Sequence, residues 1–284
     1  MITPQNWADY ELLDSGDKQK LERWGAYILA RPEPQALWSK QKPELWEKAD
    51  AQFTRGEKGG KWKKREGSAM PDEWTVIYGS LTFKLKPTLF KHTGIFPEQA
   101  ANWEWIRAQI GAAKRPIRLL NLFAYTGGAT LAAASAGAEV THLDAASGIV
   151  EWAKENSALS NLSDKPVRWL VDDALKFIAK EARRGAKYDA IVMDPPSYGR
   201  GAKGEVWKLE DHILELIEGA RGLLSEKPLF LIISSYTTGF SQTTLSNMIE
   251  SVFKNPSVVH IEELGLTPKE GYAVPAGITA RIVF

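Results

Sequence analysis

The stretch "NLFAYTGGATLAAASAGAEVTHLD" (121–144) joins a strand end, a glycine pair, a short apolar helix and a second strand. Its first part completes "IRLLNLF" (117–123), an apolar run of strand length. "GATLAAASAG" (128–137) reads as a helix that stops at Gly137, and "EVTHLD" (139–144) as the next strand. Strand, helix, strand in this order is a βαβ unit. The same alternation continues outward. "GIVEWAKENSAL" (148–159), "ALKFIAKEARRG" (174–185), "HILELIEGARGLL" (212–224) and "LSNMIESVF" (245–253) read as helices. "VRWLVDD" (167–173), "YDAIVMD" (188–194), "PLFLIISS" (228–235), "VVHIEEL" (258–264) and "TARIVF" (279–284) read as strands. Such alternation predicts an α/β fold with a mostly parallel sheet covered on both faces.

The first part of the chain differs. "YELLDSG" (10–16) and "LERWGAYILARP" (21–32) suggest strands, and "WTVIYGSLTFKL" (74–85) a hairpin turning at Gly79-Ser80. "PEQAANWEWIRAQI" (97–110) reads as a helix. Between Arg55 and Arg65, six basic residues face one acid, Glu57, among several glycines, which reads as a polar loop. Two parts follow: a small β-rich N-terminal domain over 1–90 and an α/β domain over 91–284.

Composition narrows the chemistry. The 284 residues contain no Cys, which excludes disulfides, thiolate-bound zinc, iron–sulfur clusters and a cysteine nucleophile. Four widely spaced His show no metal-ligand pattern, so no metal is expected. The net charge of +1 gives no global argument for nucleic acid or membrane. "MITPQNWADY" lacks a signal-peptide pattern and no apolar run nears bilayer length, so a cytoplasmic protein, monomer or homodimer, is expected.

In open α/β sheets, ligands bind beyond the carboxyl ends of the strands. The residues there form a series. Gly127 and Gly128 open the helix after the first strand, a place where glycine permits a tight turn or a close ligand. Asp144 ends the second strand, suited either to accept from two ribose hydroxyls or to cap a helix. Asp172 and Asp173 end the third; either can accept from an adenine amino group. Asp194-Pro195-Pro196 ends the fourth, inside "IVMDPPSYGR" (191–200). Phe123, Tyr125, Thr126, Ala145 and Ala174 flank these positions and join the same candidate site. The spacing is not the dinucleotide fingerprint.

The series resembles the class I S-adenosylmethionine-dependent methyltransferase family. The stretch from "NLFAYTGG" onward and "IVMDPPSYGRG" are similar to bacterial ribosomal-RNA methyltransferases of the group that includes the large-subunit 5-methylcytosine enzymes. "KHTGIFPEQ" (91–99) looks like a segment of that group that helps cover the cofactor, which here implicates Thr93, Phe96 and Gln99. The resemblance implies a Rossmann-like seven-stranded sheet, S-adenosylmethionine as cofactor and ribosomal RNA as partner. It departs at one point. The 5-methylcytosine relatives end a strand on Cys where this chain has Ser234 and Ser235 in "FLIISSYTTG" (230–239). Carbon-5 methylation needs a thiolate to add to the ring. The expected acceptor is therefore a base nitrogen.

On this reading the acceptor amine donates to the Asp194 carboxylate and the Pro195 carbonyl, and Tyr198 stacks on the base, although Ser197 separates it from the prolines. Lys61, Trp62, Lys63 and Arg200 are candidate RNA contacts, and "GRGAKGEVWKLEDH" (199–212) a substrate lid. A small-molecule or protein acceptor, and a non-catalytic RNA-binding protein on the same fold, stay open at this point.

Overall fold

The computed structural model describes residues 1–56, 59–200, 206–237, 239–254 and 258–284, with Arg200 described by its backbone alone. The chain divides into two compact units. One comprises Thr3–Ala101 with Gly265–Ala276; the other comprises Met1–Ile2, Asn102–Leu264 and Gly277–Phe284.

The N-terminal unit is built on a five-stranded sheet in the order β1-β2-β3-β4-β5. Its strands are β1 (Tyr10–Gly16), β2 (Gln19–Trp24), β3 (Tyr27–Pro32), β4 (Ala51–Gly56) and β5 (Gly59–Lys64), with a short helix α1 (Pro43–Trp46) between β3 and β4. The stretch 21–32 is two strands rather than one, because Gly25 takes φ +63° and reverses the chain. The stretch 55–67 is not all loop: β4 and β5 pair antiparallel, Phe53 opposite Trp62 and Thr54 opposite Lys61. The hairpin β6 (Trp74–Tyr78) and β7 (Leu81–Leu85) turns at Gly79-Ser80 as expected.

The unit reaches past the 90/91 division drawn from sequence. Lys86 N–H donates to the Thr93 carbonyl (3.0 Å), and Arg31 donates to the Lys91 carbonyl (3.1 Å). Residues 265–276 return to it through Tyr272, whose ring lies 5.7 Å from Trp38, and Pro275, whose carbonyl accepts from Gln35.

Its core combines rings with charge. Trp7, Tyr10, Trp24 and Tyr78 pack at centroid distances of 4.5 to 6.0 Å. Beside them the fully buried Glu22 receives Arg31 in a two-pronged contact (2.6 and 2.7 Å) and the Tyr10 hydroxyl (2.9 Å), with the Lys20 ammonium 3.6 Å away. Burial alone raises a carboxyl pKa. Here the Arg31 and Lys20 charges and the hydrogen bonds from Arg31 and Tyr10 outweigh burial and hold Glu22 down at about 2.

The second unit carries a seven-stranded sheet in the order β10-β9-β8-β11-β14-β16-β15. A 3-10 turn at Pro97–Gln99 leads into α2 (Ala100–Ala112). There follow β8 (Arg118–Leu122), α3 (Gly128–Ser135), β9 (Glu139–Asp144), α4 (Ser147–Leu159), β10 (Val167–Val171), α5 (Ala174–Arg183) and β11 (Ala190–Met193). Next come a small hairpin, β12 (Tyr198–Arg200) with β13 (Val206–Lys208), then α6 (Leu209–Leu223), β14 (Phe230–Ser235), α7 (Gln242–Val252), β15 (Val258–Leu266) and β16 (Val274–Val283). The pairs β10–β9, β9–β8, β8–β11 and β11–β14 are parallel, and β16 is antiparallel to β14. The last strand is thus ten residues long, longer than the 279–284 read from sequence, and lies inside the sheet between β14 and β15.

The apolar runs have a simple cause. Successive strand residues point to opposite faces, and both faces are covered. Leu120, Leu122, Ile191, Met193, Leu231 and Ile233 pack with α5, α6 and α7; Leu119, Ala190, Val192, Phe230 and Ile232 pack with α2 and α3. Among the described residues no helix is long and apolar enough to cross a membrane.

Glu22→Gln leaves Arg31 buried beside a neutral partner. Breaking one side of a buried pair costs about 3–5 kcal/mol, read as a lower midpoint in urea denaturation. Because the Glu22 pKa is depressed in the fold, the stability it contributes is complete above its ordinary 4.5 and is lost as pH falls toward 2. Thermal midpoints from pH 7 to pH 2 should therefore show a smaller acid loss over that window in Glu22→Gln.

Candidate functional site

Beyond β8 the backbone takes unusual conformations. Phe123 (φ 56°), Tyr125 (φ 49°) and Gly127 (φ 94°) are all left-handed within five residues. Non-glycine residues occupy this region at a cost, and surrounding structure must hold them there. The holding is visible. Tyr125 N–H donates to Asp144 Oδ2 (3.0 Å), Ala124 N–H to the Leu143 carbonyl (3.0 Å), and the buried Asn156 side chain to the Thr126 carbonyl (2.9 Å). Behind the loop, Asn121 donates to Thr130 Oγ1 (2.9 Å), which in turn lies 2.9 Å from His142 Nδ1. Burial holds the His142 pKa at about 3, so its ring is neutral.

The two glycines have local reasons to be glycine. Gly127 is left-handed, and a Cβ on Gly128 would collide with the Trp103 ring. Trp103 is buried on α2. The pair thus brings the first turn of α3 against an aromatic ring.

Asp144 is not a helix cap. The N-cap of α4 is Ala146, with no side-chain cap. The Asp144 carboxylate instead accepts from Tyr125 N–H and Ala146 N–H (3.0 Å each) and is half-buried. Burial raises its pKa, against the lowering by those backbone donors and Ala145 N–H. The cap appears one strand further on. Asp173 is exposed and accepts from Lys176 N–H (2.9 Å) at the start of α5. Its half-buried neighbour Asp172 accepts from Asp173 N–H (2.9 Å) and pairs with Lys180 (2.6 Å). Ala145 is exposed beside Asp144, and Ala174 is buried at the start of α5.

Beyond β11, Asp194 is half-buried, Pro195 buried and Pro196 exposed. The sequence reading missed Trp207, which fixes this turn. Its Nε1 donates to the Pro196 carbonyl (2.7 Å), its ring lies nearly parallel to His212 at 5.0 Å, and it sits 5.3 Å from Phe123. Trp207 therefore joins the loop after β8 to the turn after β11. The only sequence signal was an aromatic within a long polar connection. Tyr198 is 53% exposed on β12. Part of the expected lid is regular structure, since β12, β13 and the first turn of α6 fall within 199–212. Residues 201–205, Lys58 and the Arg200 side chain lie outside the described residues.

Ser234 and Ser235 are buried. The Ser234 hydroxyl lies 3.3 Å from Thr279 Oγ1 and accepts from Asn102 (3.5 Å), while Ser235 Oγ accepts from Thr237 N–H (3.4 Å). Ser234 thus belongs to a polar patch inside the sheet, and Ser235 is tied to the loop that follows. Thr237 also donates to Ser197 Oγ (2.7 Å), tying the loop after β14 to the turn after β11.

The remaining candidates belong to the N-terminal unit. Thr93 is fully buried and its hydroxyl has no partner among the described residues. Phe96 lies 4.8 Å from His92, and Gln99 ends the buried 3-10 turn. Lys61, Trp62 and Lys63 do not form one surface. Strand alternation places Trp62 on the face of Phe53, its ring 5.5 Å away, and turns Lys61 and Lys63 to the other. Among the described residues no cluster of His, Asp and Glu could hold a metal ion.

Residues 53–255 match the family model of S-adenosylmethionine-dependent methyltransferases. The chain belongs to this family. A solved relative, the S-adenosylmethionine-dependent methyltransferase from Agrobacterium tumefaciens, is 39% identical, with 99% of this chain and 92% of that one covered at a TM-score of 0.94. Among curated relatives, the ribosomal RNA large subunit methyltransferase K/L of Shewanella sp. (strain ANA-3) is 38% identical over 133 residues, 46% of this chain. This chain spans only 18% of that relative's length. The ribosomal RNA large subunit methyltransferase K of Neisseria meningitidis serogroup B is 26% identical over 220 residues, covering 74% of this chain and 61% of that one. The methyltransferase sheet is thus the one expected, with β8 to β11 carrying the series of glycine pair and carboxylates in order.

The chemistry of these donors and acceptors fits S-adenosylmethionine. Ribose hydroxyls need acceptors, and a carboxylate has about four lone-pair sites, so Asp144 keeps one after its three backbone donors. An adenine amino group would find a carboxylate at Asp172 or Asp173.

Gly128→Ala should destabilise this methyltransferase by about 1–3 kcal/mol, the range for overpacking. In a Trp103→Ala background the same substitution should cost close to nothing. A double-mutant cycle on denaturation midpoints measures that coupling.

Proposed function

We propose that this protein methylates a base nitrogen in ribosomal RNA in the cytoplasm, with S-adenosylmethionine as methyl donor. One observation carries the choice of atom: the chain has no Cys, and the serines at the end of β14 are buried, Ser234 bonded within the sheet and Ser235 to the loop that follows. A carbon-5 acceptor would need a thiolate to add to its ring. A nitrogen with a lone pair needs only to be placed in line. The ribosomal substrate is favoured by the likeness to the large-subunit enzymes.

The cofactor, when bound, supplies an electrophilic methyl group. Asp144 accepts from its ribose hydroxyls, and Asp172 or Asp173 from its adenine amino group. Phe123, Tyr125, Thr126, Gly127, Gly128, Ala145 and Ala174 line the same place by backbone and small side chains. The family resemblance assigns Thr93, Phe96 and Gln99 to the cofactor as well. At the acceptor, the Asp194 carboxylate and the Pro195 carbonyl each accept an amine hydrogen, which aims the nitrogen lone pair. The Pro196 carbonyl is already taken by Trp207, so that bond fixes the turn rather than the base. Tyr198, exposed on the hairpin that follows, is assigned to stack on the base. Lys61, Lys63 and the Arg200 side chain are assigned to phosphates, and Trp62 to the support of that surface.

The test is transfer of labelled methyl groups to RNA from a strain lacking the gene, with labelled nucleosides identified by mass spectrometry. An N-methylated nucleoside is expected. 5-Methylcytosine would overturn the choice of atom, and label only in protein or small molecules would overturn the substrate. Asp194→Asn should lower transfer about a hundredfold or more, since misplaced reactants lose that much, while cofactor affinity changes far less.

Asp144→Asn should weaken cofactor binding about tenfold to a hundredfold, the loss expected for hydrogen bonds to a charged acceptor. Burial raises the Asp144 pKa, so wild-type affinity should fall on acidification at a pH above the usual aspartate range. Calorimetric titration across pH checks both; an unchanged affinity in Asp144→Asn removes Asp144 from the site.

A further inference from the structure

A second site lies in the N-terminal unit. The β4–β5 hairpin and the turn at Phe90–His92 enclose a cleft of about 390 Å³ lined by Phe53, Arg55, Lys91, His92 and Phe90 together with Gly56 and Gly59. None of the described lining residues is acidic. Arg55 is exposed and has no ion-pair partner among the described residues. Phe90 is 65% exposed, although a ring of that size is normally buried.

The turn that carries the exposed ring is held by hydrogen bonds. Trp62 Nε1 donates to the Thr88 carbonyl (3.1 Å), Phe90 N–H donates to Thr88 Oγ1 (3.2 Å), and that hydroxyl donates to the His92 carbonyl (2.7 Å). Trp62 is thereby the anchor of the turn, and Phe90 the aromatic that faces outward. The wall opposite is Phe53, whose ring covers Gly60; any side chain at Gly60 would strike that ring. The cleft thus pairs aromatic rings with cationic groups. Stacking needs a π face, and phosphate needs charge nearby; single-stranded nucleic acid offers both in every nucleotide.

We infer that this cleft binds one nucleotide of a single-stranded RNA segment, the base against the exposed ring of Phe90 and the phosphate at Arg55. The inference rests on the RNA reading above and places a contact outside the catalytic turn. It differs from the Lys61–Trp62–Lys63 surface expected from sequence, because Lys61 and Lys63 point to the opposite face of β5. His92 supports the assignment. Burial first, then the charges of Arg31, Lys91 and Lys20, hold its pKa at about 3, so the ring stays neutral under a positive local field.

The experiment uses the full chain and a labelled 12-nucleotide single-stranded RNA, with anisotropy read across salt concentrations. Phe90→Ala should weaken binding about tenfold, and Phe90→Trp should restore it. Arg55→Glu should reduce the slope of log affinity on log salt by about 0.7, one phosphate's share for a single strand. Lys48→Glu makes the same charge change at an exposed position outside the cleft and should leave that slope nearly unaltered. Equal losses in Arg55→Glu and Lys48→Glu would mean diffuse attraction and overturn the cleft. So would equal affinity for a duplex of the same sequence, which hides its base faces. If wild type methylates RNA and both Phe90→Ala and Arg55→Glu bind as wild type does, the cleft is wrong and the proposed function stands. If wild type neither binds nor methylates RNA, both fall.

Discussion

Burial of the central strands on both faces leaves their ends as the accessible parts of the sheet. Leu120 and Leu122 look one way and Leu119 the other, and each side is sealed by helices. Parallel neighbours such as β8 and β11 bring their carboxyl ends to one edge. The chain leaves β8 toward β9 on one side, while β11 adjoins it on the other, so a gap opens between the two loops. The loop after β8 occupies that place in a strained conformation, and Asp144 holds it through the Tyr125 amide. Trp207 closes the arrangement by touching Phe123 and bonding to Pro196.

The α/β unit was legible because its physics is local. Apolar runs of strand length, amphipathic helices and carboxylates at strand ends all leave marks on the sequence. Less legible was what pairs by backbone alone. The 55–67 stretch is charged and glycine-rich, and composition made it a loop. Its strands form because amide and carbonyl groups pair across the hairpin whatever the side chains are, and the register then separates Trp62 from Lys61 and Lys63. The last strand was shortened for a similar reason: Pro275 and Gly277 disfavour a strand, yet β16 runs through them beside β14 and β15.

The glycine pair shows a different limit. Its position pointed to a ligand, and its place in the series is the one expected. The cause of each glycine, however, is internal: a left-handed turn at Gly127 and the Trp103 ring against Gly128. A residue type needed at a site can be needed for packing around the site, and sequence does not separate the two. Asp144 and Asp173 make the converse point. Both could cap a helix or meet a ligand, and only the hydrogen bonds divide them, since Asp173 caps α5 while Asp144 braces the loop.

The position of β5 at the margin of the five-stranded sheet has a consequence for how the protein behaves when concentrated. An outermost strand carries unpaired backbone groups that can recruit a strand from another molecule. Lys61 and Lys63, exposed along β5, place two like charges beside that margin, so two copies meeting there repel before their backbones align. The same lysines that invite a reading as nucleic-acid contacts thus guard the chain against self-association, and their loss would be felt as aggregation even where no RNA is present.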